Sequence, residues 1–326
     1  MSTPFSLNFT KINHFSPQEY NFTEVLEAIV LKPKTLYFRG KMPENMSKTQ
    51  NSKTVLQNKT EVKSSQKNRT ERPKTVAIVG SRHNTRYGEE IAYKLAYELA
   101  KKGVIIVSGL AYGIDSIAHK GCLAANGVTV AILGTPIDQI YPTGHTALAR
   151  EIIEKNGAII SEYAPKTKVF FKTSFLERNR LISGLSDIVV VVEAAEKSGS
   201  LNTATHAIEQ GKTVFAVPGN ITSPYSQGCN KLIKQGAIPY TEPDDILREL
   251  FPDDYLKKQK HLKKQNLIGD TDAETIILQT IAGGLRSGED IIKNAKLPPE
   301  VFNQTITLLE IKSRVRSLGM NNWGLI

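Results

Sequence analysis

Two arginine-bearing stretches offer chemistry through their residue types and spacing. Arg82 closes the turn Gly80-Ser81-Arg82 directly after an apolar run, and Arg178-Asn179-Arg180 precedes the apolar run DIVVVVEA at 187–194. A guanidinium presents parallel N–H donors that match a phosphate or carboxylate with two hydrogen bonds at once. Read as the start of a helix, Arg178 and Arg180 oppose the positive end of the helix dipole, so this placement predicts an anion beside them. Lys172 and Lys197 lie close by in the sequence. Glycine-containing turns recur after β-branched runs, at Ser108-Gly109 with Gly113, at Gly134-Thr135-Pro136, at Ser198-Gly199-Ser200 and at Val217-Pro218-Gly219-Asn220. Glycine lets backbone approach a ligand closely, and amides at helix N-termini form a ready anion site. Such turns converging on one edge predict a polar trough suited to a phosphodiester backbone. The candidate residues are Gly80, Ser81, Arg82, Ser108, Gly109, Gly113, Lys172, Arg178, Asn179, Arg180, Ser198, Gly199 and Ser200.

A catalytic reading has less support. Asp115 and His119 stand four apart on one helix face, where the carboxylate could orient the imidazole. A structural hydrogen bond that fixes the loop is the simpler reading. Glu162 and Glu193 fall at strand ends and could act as bases, but neither has a nucleophile or metal partner nearby in sequence. The sequence contains neither a zinc-protease H-E-x-x-H nor a G-x-S-x-G elbow. Walker A is absent, and no G-x-G-x-x-G turn follows the first strand. The second strand ends in Ser108-Gly109, where an NAD site would place an acid for the ribose. Cys122 and Cys229 lie outside any metal-ligand spacing. No catalytic residue, cofactor or metal is therefore expected.

The elements that must position these residues follow from periodicity. Runs at 75–80, 104–109, 128–134, 158–162, 187–194 and 213–219 are short, β-branched and apolar on both faces. Helical stretches separate them, such as 88–103, which ends in the C-capping Gly103. This alternation predicts an α/β fold, a doubly wound Rossmann-like parallel sheet spanning 75–251. Residues 1–40 read as a lead-in, a helix and an extended segment that dock onto the sheet. Residues 252–270 read as a charged linker. Residues 271–326 suggest three short helices and a hairpin, the outline of a small winged helix. Its third helix, 297–311, contains no Lys or Arg, which argues against duplex reading by that helix.

The net charge of +10 over 326 residues is concentrated in residues 41–75, where nine Lys and Arg face three Asp and Glu. Residues 41–74 therefore read as a basic, disordered loop, either a solvated linker or a nucleic-acid arm. The middle of the chain is nearly neutral, so binding there depends on local placement rather than bulk charge. No stretch has the apolar length of a membrane span and the N-terminus is not a signal peptide, so a cytoplasmic protein is expected.

Taken in order, several motifs resemble the DNA-processing protein A (DprA, also called Smf) family. They are VAIVGSR, SGLAYGIDSIAH, a Leu-Gly turn followed by YP, SEY, F-x-x-RNRLISGLS, VVVEA, SGSLNTA, VPGN and SQGCNKLIKQGA, covering roughly 76–240. The resemblance implies a non-catalytic homodimer that binds single-stranded DNA, protects incoming DNA and loads the RecA recombinase in natural transformation and recombination. It carries DNA contact onto Arg82 and Arg178-Asn179-Arg180, with the loops Ser108–Gly113 and Ser198–Ser200 shaping the trough. Three features depart from the family pattern. Leu176 stands where proline is usual, Gly134-Thr135-Pro136 replaces a more glycine-rich turn, and the basic loop resembles an insertion with no helical domain of the usual size before it. A rival reading is a nucleotide enzyme similar to the LOG-type phosphoribohydrolases. Their P-G-G-x-G-T-x-x-E signature is not matched by SGSLNTATHAIEQG, which lacks the paired glycines and the acid at the expected offset.

Overall fold

The computed structural model describes residues 11–43, 72–253 and 267–325, apart from the side chains of Phe171 and Lys172. Most of the basic loop (44–71) and of the linker (254–266) lies outside the described residues. The chain divides into two units, residues 1–250 and 251–326.

Among the described residues the first unit carries nine strands: β1 (Asn13–Phe15), β2 (Leu36–Gly40), β3 (Thr75–Val79), β4 (Ile105–Ser108), β5 (Thr129–Leu133), β6 (Ala158–Ser161), β7 (Ile188–Val191), β8 (Thr213–Ala216) and β9 (Ile238–Pro239). They form one sheet in the order β1-β2-β6-β5-β4-β3-β7-β8-β9. All pairs from β6 to β9 are parallel, and β2 joins β6 antiparallel. The helices described among them are α1 (Arg86–Lys101), α2 (Ile114–Ala124), α3 (Thr146–Glu154), α4 (Phe171–Gly184), α5 (Gly199–Glu209), α6 (Gln227–Lys234) and α7 (Pro243–Leu250).

Strands β3 to β7 are buried at every position, which is why their sequences run apolar without alternation. Polar residues at the strand ends bond to neighbouring turns. Thr75 donates its backbone N–H to Asp187 Oδ2 at 2.8 Å and its hydroxyl to the Leu185 carbonyl at 2.9 Å. Arg72 adds an ion pair to Asp187 at 3.0 Å. These bonds tie the entrances of β3 and β7 together.

The expected lead-in helix is a pair of 3-10 turns, Pro17–Glu19 and Glu24–Ala28. Phe22, Leu26 and Ile29 have helical spacing and are buried, yet a segment this short gains too few hydrogen bonds to offset helix nucleation. The extended part of the lead-in is β2, which continues the sheet beyond β6.

The second unit holds α8 (Asp272–Ala282), α9 (Gly288–Ala295) and α10 (Pro299–Ile311), followed by the hairpin β10 (Val315–Gly319) and β11 (Asn322–Leu325). Ile277, Ile281, Ile291, Phe302, Ile306 and Leu309 form its core with Val315 from the hairpin. A bridge between Ser287 and Asn322 joins the α8–α9 connection to β11. The arrangement is winged-helix-like. Among the described residues no helix is long and apolar enough to cross a membrane.

Candidate nucleic-acid interface

Strand β3 lies between β4 and β7, so the chain leaves it in opposite directions across the sheet. Such a switch point opens a crevice beyond the carboxyl ends of the strands. Here the crevice is a cavity of about 590 Å3. The turn after β3 supplies Gly80, Ser81 and Arg82, the turn before α2 supplies Ala111, and the first turn of α2 supplies Asp115. Helix α4 supplies Phe175, Arg178 and Asn179, while Lys197, Ser198, Gly199 and Ser200 come from the start of α5.

Two glycines are required by this construction. Gly113 has φ +78°, and a Cβ there would stand 2.2 Å from the Ser81 carbonyl oxygen. A Cβ on Gly109 would stand 2.6 Å from Arg178 Nη2, so the guanidinium occupies the space that a side chain would need.

The three residues of the Arg-Asn-Arg stretch behave differently. They do not start a helix, as the sequence reading expects, but lie in the second half of α4, which begins at Phe171. The dipole argument for an anion beside them therefore lapses. Residues two apart on a helix point to nearly opposite sides, and Arg178 and Arg180 do so. Arg178 is only 5% exposed. Its Nη1 donates to the Gly109 carbonyl at 2.8 Å and also to the Ile132 carbonyl, linking α4 to the ends of β4 and β5. Arg180 turns instead to Glu162, with Nη2 2.7 Å from both carboxylate oxygens, and does not line the cavity. Between them, Asn179 donates to the Gly199 carbonyl at 3.3 Å and to Asn202 Oδ1 at 3.1 Å, which fastens the α5 N-terminus to α4.

The other expected residues also divide by role. Ser108 is fully buried and donates to the Ile78 carbonyl at 2.7 Å, a bond within the sheet. Ser198 caps α5, its hydroxyl accepting from the Ser200 amide at 3.4 Å. Arg82 and Lys197 are exposed cations on the cavity wall. Lys172 sits in the first turn of α4, its side chain outside the described residues. Sequence reasoning missed Tyr225 and Thr203, which also line the cavity. The only signal for them was proximity to the VPGN and SGSLNT turns.

The carboxylates near the cavity are engaged in structure. Asp115 is buried and accepts the Gly109 amide at 3.0 Å. Burial raises its pKa, and the nearby Arg178 opposes that rise. Burial likewise lowers Arg178 to about 10, still charged at neutral pH, with Asp115 acting to hold it up. Glu193 accepts the Thr85 amide at 2.8 Å and the Thr85 hydroxyl at 2.6 Å, anchoring the N-terminus of α1. His119 pairs with Thr129 at 2.7 Å rather than with Asp115. Because Thr129 donates its own proton to the Ile106 carbonyl at 2.7 Å, His119 carries its proton on Nδ1. Burial lowers its pKa to about 3. Among the described residues no group of three His, Cys, Asp or Glu side chains could hold a metal ion.

A doubly wound sheet whose switch-point crevice brings the start of a helix and guanidinium groups together defines a Rossmann-like module. The chain belongs to the DNA recombination-mediator protein A family, whose family model matches residues 34–251. It is 50% identical over 175 residues to Protein Smf of Escherichia coli, covering 54% of this chain and 46% of that protein. It is 45% identical over 175 residues to the DNA processing protein DprA of Bacillus subtilis, covering 54% and 58%. The chain thus spans about half the length of these relatives. Two solved structures are similar. DprA from Streptococcus pneumoniae gives a TM-score of 0.59 at 33% identity, over 74% of this chain and 75% of that one. DNA processing protein A from Helicobacter pylori, described for its single-stranded DNA binding mode, gives 0.58 at 31% identity over 75% and 98%.

Proposed function

We propose that this protein is a single-stranded DNA-binding recombination mediator, acting in DNA uptake and recombination by protecting the strand and loading a RecA-type recombinase. One observation carries the reading. The exposed cations Arg82 and Lys197 line a cavity at the ends of β3, β4 and β7, which also holds the start of α5. A phosphodiester fits that chemistry, with guanidinium and ammonium groups outside and helix amides within. Arg178 supports the site from below, Asn179 holds the α5 end in place, and Arg180 braces α4 through Glu162. This division of labour refines the direct phosphate contact expected of all three residues.

The relatives support the same reading by family membership, and the Helicobacter pylori protein by its described ligand. The reading includes a homodimer working in the cytoplasm. It assigns no catalysis, because Asp115, Glu162 and Glu193 each have structural partners. A competition assay tests the ligand class. Single-stranded oligonucleotide displaces a labelled strand at least tenfold more effectively than duplex of the same sequence (an order-of-magnitude expectation from base-stacking energies). Equal displacement by duplex would contradict the reading.

A further inference from the structure

Beside the main cavity lies a smaller cleft of about 40 Å3, and two tyrosines form its outer wall. Arg82, Ala111, Phe175 and Arg178 line both cavities, so the cleft continues directly from the cationic trough. Tyr112 is 52% exposed and Tyr141 40% exposed, in a unit whose large apolar side chains are mostly buried. Both rings are nonetheless held in place. Tyr112 meets His145 edge-on with ring centroids 4.7 Å apart, and His145 Nδ1 lies 2.8 Å from the Leu110 carbonyl oxygen, where it donates a hydrogen bond. Tyr141 lies 5.4 Å from Phe175 at a tilt of 36°. The Arg82 guanidinium stands 5.6 Å over that same Phe175 ring.

We propose that Tyr112 and Tyr141 form a stacking step for the unpaired bases of the strand whose phosphates occupy the trough. This rests on the single-strand reading above and goes beyond it, because it says what distinguishes single strand from duplex. Phosphate contacts exist in both forms and carry no such distinction. In a duplex the base faces are already occupied by their neighbours. An unpaired base offers a free π-face to an aromatic ring, and every base does so, which makes the contact tolerant of sequence. Partly exposed tyrosines anchored at one edge suit this task, since little side-chain freedom remains to be lost on binding. The position beside Arg82 lets one nucleotide present its phosphate to the guanidinium and its base to the cleft.

The test compares an oligothymidylate with the matching abasic oligomer, across a salt series, for the wild type and for Tyr112→Ala, Tyr141→Ala, Tyr112→Trp and Tyr141→Phe. Stacking predicts that each alanine variant binds oligothymidylate about 5- to 150-fold more weakly, the span of one base–aromatic contact. The salt slope stays that of the wild type, because no phosphate contact is lost. The Trp and Phe variants retain affinity. The wild type binds the abasic oligomer more weakly by at least the factor of one such contact, a result that needs no variant to fold. Alanine variants that bind oligothymidylate like the wild type would overturn the stacking step alone, as would equal wild-type affinity for the two oligomers. A wild type that binds neither oligomer would overturn the single-strand reading itself.

Discussion

Cations occur in both units of this chain, but they are used differently. In the first unit, backbone geometry gathers them at one place. Arg82 comes from the turn after β3, Arg178 from the second half of α4, and Lys197 from the approach to α5, yet all three line one cavity. In the second unit, α10 occupies the place of a winged helix's reading helix and carries Glu300 and Glu310 but no Lys or Arg. Just after it, Lys312 is held by Asp270 at 2.6 Å and Glu274 at 2.7 Å, so its charge is spent locally. Convergence at a switch point, with helix amides behind it, is what distinguishes the first unit.

The contrast also runs through the interior. The first unit buries the hydrogen-bonded Arg178 guanidinium beneath its trough, and breaking that support should have the largest effect. Arg178→Ala removes the donor to the Gly109 and Ile132 carbonyls and leaves Asp115 without its nearby cation. Leaving buried acceptors without their donor costs on the order of 1–3 kcal/mol each. Denaturant unfolding should report that loss, and a variant as stable as the wild type would mean that Arg178 does not brace the site. Because of this cost, weakened DNA binding by Arg178→Ala alone says little about phosphate contact.

The next effect depends on pH. His119 has its pKa lowered to about 3 in the folded protein. Against an unfolded value near 6.5, the unfolded chain binds the extra proton as pH falls, so stability is present above that value and declines below it. Between pH 7 and pH 5 the wild type should lose about 2 kcal/mol more than His119→Asn, measured by unfolding at the two pH values. Parallel losses would show that His119 titrates alike in both states. The smallest effect is expected in the second unit. Arg314→Ala with Arg316→Ala, beside and in the exposed hairpin, should change single-strand affinity by less than about twofold, the ordinary scatter for surface charges outside the proposed site. A large loss there would erase the contrast between the units.

Much of this architecture is legible in the sequence, for identifiable reasons. The six central strands fall where β-branched runs lie between helical stretches, because strands buried on both faces need apolar residues at consecutive positions. Strand β9 is not legible, since Ile238-Pro239 is too short to form a run. The site is legible in composition but not in orientation. The sequence shows that Arg178, Asn179 and Arg180 belong together, whereas only the helix boundary at Phe171 reveals that one arginine faces the cavity and the other Glu162. Ser108 has the right type and place for a ligand contact, yet its hydroxyl satisfies the Ile78 carbonyl in the sheet. Burial decides such cases, and burial depends on partners far away in the chain.

The central claim is that phosphates of a single strand meet the exposed cations of the first unit's cavity. It is tested most directly by single-strand affinity across a salt series for the wild type, Arg82→Ala and Lys197→Ala. Both side chains are exposed on the cavity wall, so neither change should weaken the fold appreciably. Each lost phosphate contact should flatten the log–log salt slope by about 0.7 and weaken binding. Slopes identical to that of the wild type in both variants would place the DNA elsewhere and contradict the account.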